Sequence, residues 1–152
     1  MFEIISHRGN LNFPNENENS PSQIMKAIKK FRVEIDVWNI DDAWWLGHDS
    51  PAYKVDFSFF DSSMFLHCKN IEAVSALHGS KLNWFWHEKD QLVLTGHGEL
   101  WCFPKNYMKD GITVLIGEPE KDVIRNLPSH IRGLCTDYPL KLEKLQREIQ
   151  KL

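Results

Sequence analysis

The amino-acid sequence predicts a single domain of the α/β class, and three observations favour this class. Short segments rich in Val, Ile, Phe and Trp recur along the chain, as expected of short strands. Amphipathic stretches with helix-start signals separate several of them, which is typical of strands that pair in parallel. The length of 152 residues, with 42% hydrophobic and 26% charged residues, fits one domain with a buried core, which we place over residues 1–152.

Eight strands are predicted, each apolar and rich in β-branched or aromatic residues. In chain order they are Phe2–Ser6, Val33–Trp38, Met64–Lys69, Trp84–His87, Gln91–Thr95, Glu99–Phe103, Thr113–Ile116 and Gly133–Thr136. Only three residues separate the fourth strand from the fifth, whereas a parallel crossover needs about ten or more. We therefore expect a hairpin at this point, or a barrel whose outer helices have been cut down to turns.

Four helices are predicted between the strands. The first begins at Ser20, an N-cap residue followed by Pro21, and the second runs from about Asn70 to His78. The third begins near Pro119, and the fourth follows Pro139 with charged residues opposite an apolar face. The apolar face of the fourth helix consists of Leu142, Leu145, Ile149 and Leu152.

Composition and charge exclude several classes of protein. The net charge of −3 argues against a basic nucleic-acid-binding surface, so we expect no nucleic-acid partner. No run approaches the roughly 18 apolar residues of a membrane span, and no secretory signal pattern is visible, so we expect a cytoplasmic protein without stable membrane anchoring. The cysteines Cys68, Cys102 and Cys135 form no CxxC pair and are expected to be free, buried thiols. The oligomeric state stays open.

The aromatic middle of the chain allows two interpretations. Trp84-Phe85-Trp86 and the segment from Leu100 to Phe103 could form a stacking platform for a base or a sugar. The commoner arrangement for such residues is the core or the rim of a small barrel.

Two acidic residues within one predicted strand give the first indication of a site. Glu34 and Asp36 are two positions apart, so their side chains share a strand face at a separation of about 6.6 Å. Carboxylates this close repel each other, and a divalent cation with oxygen ligands would offset the repulsion. The alternative is a solvent-facing strand edge with two unrelated acids.

Two histidine-containing turns add further polar groups. His7-Arg8-Gly9 ends the first strand, where Gly9 permits a close backbone approach and Arg8 offers a fork of donors suited to phosphate oxygens. His48 lies in a Gly-His-Asp turn in which Asp49 could orient the imidazole. Taken singly, each turn is more often an ordinary surface feature.

In combination, these fragments resemble the motifs of the glycerophosphodiester phosphodiesterases. The family pattern is His-Arg-Gly, Pro-Glu-Asn-Thr, Glu-x-Asp and His-Asp, with a closing Thr-Asp-x-Pro. The chain carries His7-Arg8-Gly9, Glu18-Asn19-Ser20, Glu34-Ile35-Asp36, His48-Asp49 and Thr136-Asp137-Tyr138-Pro139. The family's Glu-x-Lys strand is matched by His67-Cys68-Lys69, where a histidine replaces the acid. The resemblance is specific over residues 1–70 and at the C-terminal end, and vague between them.

The resemblance implies a fold and an activity. The fold would be a reduced (β/α)8 TIM-type barrel with several outer helices shortened or missing, because the usual barrel needs about 200 residues or more. The activity would be metal-dependent hydrolysis of a small-molecule, glycerophosphodiester-like substrate, a reaction of lipid metabolism.

The resemblance also implies a role for each matched residue. His7 and His48 would be the general acid and base, and Arg8 and Lys69 would bind the phosphate oxygens. One divalent cation, Mg²⁺ or Ca²⁺ with Mn²⁺ as a further candidate, would be held by Glu34, Asp36, His67 and Glu18.

The histidine at position 67 leaves alternatives open. As a ligand, an imidazole favours Mn²⁺, Co²⁺ or Zn²⁺ over Ca²⁺, but His67 could instead hydrogen-bond a neighbouring carboxylate. This departure and the missing helices favour a non-catalytic phosphate-ligand binding module on a degenerate barrel. The retained histidines and acids favour the enzyme. A hydrolase of another phosphodiester, such as a lysophospholipid or a phosphoinositide, would use the same site.

Overall fold

Parallel strands supply most of the sheet in the computed structural model of the chain, which describes residues 1–151. The strands are β1 (Glu3–His7), β2 (Arg32–Ile40), β3 (Ala43–Leu46), β4 (Tyr53–Val55), β5 (Met64–Cys68), β6 (Asn83–Phe85), β7 (Leu92–Leu94), β8 (Leu100–Cys102), β9 (Gly111–Leu115) and β10 (Gly133–Thr136). The helices are α1 (Pro21–Ala27), α2 (Ile71–Leu77), α3 (Lys121–Arg125) and α4 (Pro139–Gln150), and a short 3-10 helix covers Phe57–Phe59.

The sheet is mixed and curves into a half-barrel with few helices. Strands β6, β5, β2, β1, β10, β9 and β8 lie side by side in parallel. Strands β3 and β4 extend it antiparallel from the far half of β2, and β7 runs antiparallel to β8. Between β6 and the β7–β8 hairpin the backbone link is a hydrogen bond from Gly96 N to Trp84 O, 2.7 Å long.

All eight predicted strands form, and two more were missed. The missed strands, β3 and β4, are short, and β3 follows a tight turn in which Asp41 and Asp42 both have positive φ, 50° and 61°. Two such residues are typical of the turn that joins a right-twisted hairpin, so the sequence carried a signal here. The expected hairpin after the fourth predicted strand lies one strand later, between β7 and β8.

The four predicted helices also form, and side chains cap the first two. The Ser20 hydroxyl accepts a hydrogen bond from the Gln23 backbone N–H at 3.3 Å, and the Asn70 side chain caps α2 in the same way at 3.2 Å. Leu152, expected on the apolar face of α4, lies outside the described residues. Among residues 1–151, none of the helices has the length and hydropathy of a membrane span.

Side-chain alternation divides the apolar residues between the two faces of the sheet. The inner face carries one cluster, formed by Ile5, Phe65, Phe85, Trp101, Ile112 and Cys135. The outer face packs against the helices, and Trp84 and Trp86 contact this outer core. Trp101 is a buried core residue whose ring stacks on Phe85 with centroids 4.7 Å apart, and Trp84 and Trp86 are half-buried and pack against the core. The cysteines are free and buried, as predicted.

Candidate active site

Three side chains with metal-ligating atoms meet where β2 pairs with the carboxyl end of β5. Their ligand atoms, on Glu34, Asp36 and His67, all lie within 4.8 Å of one another. His67 Nδ1 is 3.2 Å from Asp36 Oδ1 and 3.5 Å from Glu34 Oε1. The parallel register pairs Asp36 with His67, so strand pairing itself assembles this three-residue cluster.

The donor set of the cluster fits a divalent cation. Glu34 is 2% exposed and Asp36 is fully buried, yet Glu34 Oε2 and Asp36 Oδ1 accept no hydrogen bond from any group in the described chain. An unsatisfied buried acceptor costs about 1–3 kcal/mol, and more when it is charged. Two carboxylates with one imidazole can coordinate Mg²⁺, Ca²⁺ or Mn²⁺, and the imidazole favours the transition metal.

The orientation of His67 is set by a backbone carbonyl. Its Nε2 donates to the carbonyl oxygen of His87, 2.9 Å away, because a carbonyl only accepts. In the neutral ring the lone pair then belongs to Nδ1, the atom that faces the two carboxylates. Burial alone would lower the pKa of His67, but its close contacts with Asp36 and Glu34 outweigh burial and raise the pKa to about 9.

His7 lies beside the cluster with one ring nitrogen held and the other free. Its Nδ1–H donates to Asp137 Oδ1 at 2.7 Å, and its Nε2 lies 3.7 Å from Glu34 Oε2. Burial opposes protonation of the ring, but the hydrogen bond to Asp137 and the charge of Glu34 raise the pKa of His7. An imidazole held in this way can exchange a proton through Nε2.

Asp137 is a site residue that sequence reasoning matched to a motif without giving it a role. Its position after a strand could have revealed its role. Asp137 directly follows Thr136, the last residue of β10, and Thr136 pairs with Ser6, the neighbour of His7 in β1. Asn10 also donates to Asp137 Oδ1, at 2.8 Å. The hydrogen bonds from His7 and Asn10 outweigh burial and hold the pKa of Asp137 below its usual value.

Asn19 is a second residue without an assigned role that shapes the cluster. Its Nδ2 donates to Asp36 Oδ2 and its Oδ1 accepts from the Asp36 backbone N–H, both at 2.9 Å. The side chain is buried and the residue has a φ of 61°. This double contact fixes Asp36 and leaves its Oδ1 to face His67.

The two candidate phosphate-binding cations, Arg8 and Lys69, flank Asp36. Arg8 Nε is 3.2 Å from Asp36 Oδ2, and Lys69 Nζ is 3.7 Å from Asp36 Oδ1. Arg8 Nη1 also donates to Glu18 Oε2 at 3.0 Å. Glu18, expected among the metal ligands, thus lies outside the three-residue cluster and contacts Arg8 and Asn10.

Gly9 has a structural role in addition to the expected permissive one. It has a φ of 77°, and a Cβ on it would lie 3.0 Å from the backbone nitrogen of Ile24. Any side chain here would push α1 away from the end of β1, so glycine is needed for packing.

His48 lies at the rim of the site. Its Nδ1 is 2.8 Å from Asp49 Oδ1, in agreement with the expectation that Asp49 could orient the imidazole. The His48 side chain is 39% exposed. No hydrogen bond or ion pair within residues 1–151 joins His48 to the three-residue cluster. Its neighbour Gly47 donates its N–H to the Asp36 carbonyl at 3.1 Å, so the backbone of this turn is tied to β2.

With His67 unprotonated, as metal ligation requires, the charge balance of the site is negative. Four carboxylates, those of Glu18, Glu34, Asp36 and Asp137, surround the permanent cations Arg8 and Lys69. Such an excess in a buried place favours a bound cation.

A solved structure shares this fold. The crystal structure of glycerophosphodiester phosphodiesterase from Agrobacterium tumefaciens str. C58 aligns with a TM-score of 0.60 and 13% sequence identity, covering 97% of this chain and 100% of that chain. No family model and no curated protein matches the sequence. At this identity the likeness is one of architecture, and the chain is similar in fold to that phosphodiesterase over nearly its whole length.

Proposed function

We propose that the protein is a metal-dependent phosphodiesterase that hydrolyses a small glycerophosphodiester-like substrate. The observation that carries the proposal is the cluster of Glu34, Asp36 and His67, with its unsatisfied carboxylate oxygens, beside the free Nε2 of His7. The structural likeness to a glycerophosphodiester phosphodiesterase supports the same reaction class.

Glu34, Asp36 and His67 would hold one divalent cation. When bound, a cation at such a site would lower the pKa of the hydroxyl group that attacks phosphorus. The cation would also neutralise charge on the phosphate. Glu18 remains the proposed fourth ligand, and it reaches that role only by releasing Arg8 and Asn10, which it contacts at 3.0 and 2.8 Å.

His7 would exchange the proton that the reaction requires. Its Nε2 can accept a proton, and Asp137 stabilises the imidazolium that results, because the carboxylate already accepts from Nδ1. His48, oriented by Asp49 at the rim, would serve as the second acid–base group. Arg8 and Lys69 would bind the phosphate oxygens and offset the charge that develops on them.

A second candidate is a phosphate-ligand binding module without turnover. The pairing of both Arg8 and Lys69 with Asp36 favours it, because cations that are already neutralised contribute less to a reaction. The position of His48, with its ring bonded to Asp49 at the rim, favours it as well.

A panel of phosphodiesters tests the proposal. Glycerophosphocholine, glycerophosphoinositol and lysophosphatidylcholine are incubated with Mg²⁺, Ca²⁺ or Mn²⁺, or with a chelator, and products are identified by phosphorus NMR. We expect a phosphate-containing product that disappears with chelator and returns with excess metal.

The matched variants are His7→Ala and His78→Ala. His78 is exposed and lies at the end of α2, remote from the cluster, so its substitution is the control. Ligand binding without product identifies the binding module, and an absence of both binding and product rejects the two candidates together. Turnover of lysophosphatidylcholine alone assigns the same site to a lipid substrate.

A further inference from the structure

His87, two residues after the end of β6, has two ring nitrogens without partners among the described residues. Both Nδ1 and Nε2 are buried, and neither makes a hydrogen bond with any group of residues 1–151. Buried polar groups in folded proteins almost always have a partner, so a side chain with two unpaired groups requires an explanation.

Side-chain alternation places His87 on the inner face of the sheet. Trp84 and Trp86 contact the outer core, whereas Phe85 belongs to the inner cluster. His87 is the next residue on the side of Phe85, and it lies past the carboxyl end of the strand. This is the edge of the sheet at which the candidate active site lies.

His87 contacts that site through its backbone. Its backbone carbonyl accepts the hydrogen bond from His67 Nε2, and the His67 ring stacks on Phe85 with centroids 4.9 Å apart and planes 9° apart. The His87 ring meets Phe103 edge-on at 5.9 Å. His87 therefore borders the cluster on the β6 side, between the candidate ligand His67 and an aromatic ring at the end of β8.

The two buried ring nitrogens have no partner within the described residues, so a ligand group could supply the hydrogen bonds that they lack. A neutral imidazole offers one N–H donor and one lone pair.

We propose that His87 is a substrate-binding residue that hydrogen-bonds a hydroxyl group on the alcohol part of the phosphodiester. The ligand class rests on the proposed function. Phosphate oxygens only accept hydrogen bonds and have Arg8 and Lys69 as partners, whereas a hydroxyl both donates and accepts and so matches either nitrogen of a neutral ring. The exposed part of Phe103 offers an apolar surface for the adjoining carbon atoms.

A pair of ligands that differ by one hydroxyl tests this inference. Glycerophosphocholine carries a terminal hydroxyl that the corresponding propane-1,2-diol ester lacks, while both keep the hydroxyl next to the phosphoester carbon. The dissociation constant of each is measured calorimetrically in MnCl₂ for the wild type, His87→Phe and His87→Gln, with His78→Phe as the matched control. Turnover of the same ligands is followed in parallel.

We expect His87→Phe to weaken binding of glycerophosphocholine about tenfold, the effect of one lost hydrogen bond to a buried partner. Binding of the propanediol ester should change by less than about twofold, and His87→Gln, which keeps a donor and an acceptor, should restore most of the difference. The melting temperature of His87→Phe should not fall, because two unpaired polar atoms are removed.

Several results would overturn the inference. Equal weakening of both ligands, no weakening of either, or no binding of either by the wild type each shows that His87 does not bind the hydroxyl. The expected binding pattern without turnover in any protein keeps His87 as a ligand-binding residue and rejects the phosphodiesterase proposal. Turnover by the wild type without this difference between the two ligands keeps the phosphodiesterase proposal and rejects His87 as the residue that binds the hydroxyl.

Discussion

The two ends of the parallel strands both bury charged side chains, but they differ in how those charges are satisfied. At the amino end, Glu99 accepts hydrogen bonds from both terminal nitrogens of Arg32, at 3.0 and 3.2 Å, and from Asn83 at 2.6 Å, and it also pairs with Arg132. The Arg32 guanidinium lies over the Phe65 ring, 3.9 Å from its centroid. This amino-end network satisfies its central carboxylate completely.

At the carboxyl end, by contrast, several buried polar atoms have no hydrogen-bond partner. Within residues 1–151, the buried side-chain atoms without a hydrogen-bond partner belong to Arg8, Glu34, Asp36 and His87. Arg8 and His87 lie beyond the carboxyl ends of β1 and β6, and Glu34 and Asp36 lie on the part of β2 that pairs with the carboxyl ends of β1 and β5. Unsatisfied groups concentrated at one end indicate a place built for a ligand, whereas the saturated network at the other end indicates a structural role.

The position of the amino-end network explains its role. Asn83 begins β6 and Glu99 directly precedes β8, so the network joins these two strands. The backbone link in this part of the sheet is the hydrogen bond from Gly96 to Trp84. Arg32 connects both to the start of β2. The polar groups at this end thus hold the edges of the half-barrel together.

Removing an acid–base group at the carboxyl end should have the largest effect. His7→Ala and His48→Ala should each lower kcat by a factor of about 10²–10⁴, the usual contribution of a general acid or base. His7→Ala should also lower stability, because it leaves Asp137 with Asn10 as partner, whereas the exposed His48 should tolerate substitution. Steady-state kinetics and thermal melting measure both. Near-normal kcat in either variant removes that histidine from the acid–base assignment.

Breaking the amino-end network should destabilise the fold without touching the chemistry. Glu99→Ala leaves Arg32 and Arg132 with only the longer contacts to Glu3, at 3.6 and 3.7 Å, and leaves the buried Asn83 Nδ2 without its acceptor. It should cost about 1–3 kcal/mol of unfolding free energy. The kcat of the folded fraction should be unchanged. Urea unfolding measures the loss. The control is Glu118→Ala, which removes an exposed ion pair with Lys141 and should lower the unfolding free energy by less than about 1 kcal/mol. A small loss in Glu99→Ala would contradict a structural role for this end.

The pH dependence of stability should reveal His67 in the metal-free protein. Its pKa is raised in the folded state from 6.5 to about 9, so its contribution is fully present below pH 6.5 and is lost as the pH rises through about 9. The contribution is at most about 3 kcal/mol. Urea unfolding in chelator from pH 6 to 10 measures it. His67→Gln should lose the part of the slope that lies near pH 9 and keep the part from His7, whose pKa is also raised.

Metal binding should have the opposite pH dependence to the stability of the metal-free protein, because His67 must lose its proton before it can ligate a metal. The apparent affinity for Mn²⁺ should therefore rise with pH toward 9, by up to about tenfold per unit. Calorimetric titration of Mn²⁺ at several pH values measures the change. An affinity independent of pH between 7 and 9 removes His67 from the ligand set.

Metal preference should give the smallest and most specific effect. His67→Glu should strengthen Mg²⁺ or Ca²⁺ binding relative to Mn²⁺, by about tenfold, because a carboxylate replaces an imidazole and adds one negative charge. Titration of each metal into wild type and variant measures the ratio. If the ratio is unchanged, His67 only contacts the carboxylates, and the third ligand is Glu18 or water.

Much of the local structure was predictable because its causes are local. Ser20 and Asn70 cap helices through bonds to residues three positions away. The two-residue spacing of Glu34 and Asp36 places both on one strand face whatever surrounds the strand. The missed strand β3 follows a turn of two aspartates with positive φ, a weaker signal than glycine, and β4 is only three residues long.

The candidate site was predictable in part. The matched motifs included Glu34, Asp36, His67 and His7, and the structure brings these four together. The contacts of Asp137 with His7 and of Asn19 with Asp36 were not assigned, because each joins residues from different segments of the chain. Gly9 was interpreted through its own flexibility, whereas its environment, the backbone of Ile24, gives it a packing role.

The sequence by itself determined most of the elements of this protein: which segments form the helices and all strands but β3 and β4, and which face of a strand carries carboxylate or imidazole. Those properties depend on propensity, capping and the two-residue period of a strand, all of which act within a few residues. The tertiary structure alone decided which strands became neighbours. The pairing of β10 with β1 sets Asp137 against His7, and the pairing of β5 with β2 sets His67 against Asp36. Such pairings follow from closing long loops around a shared core, a global balance that no local pattern encodes.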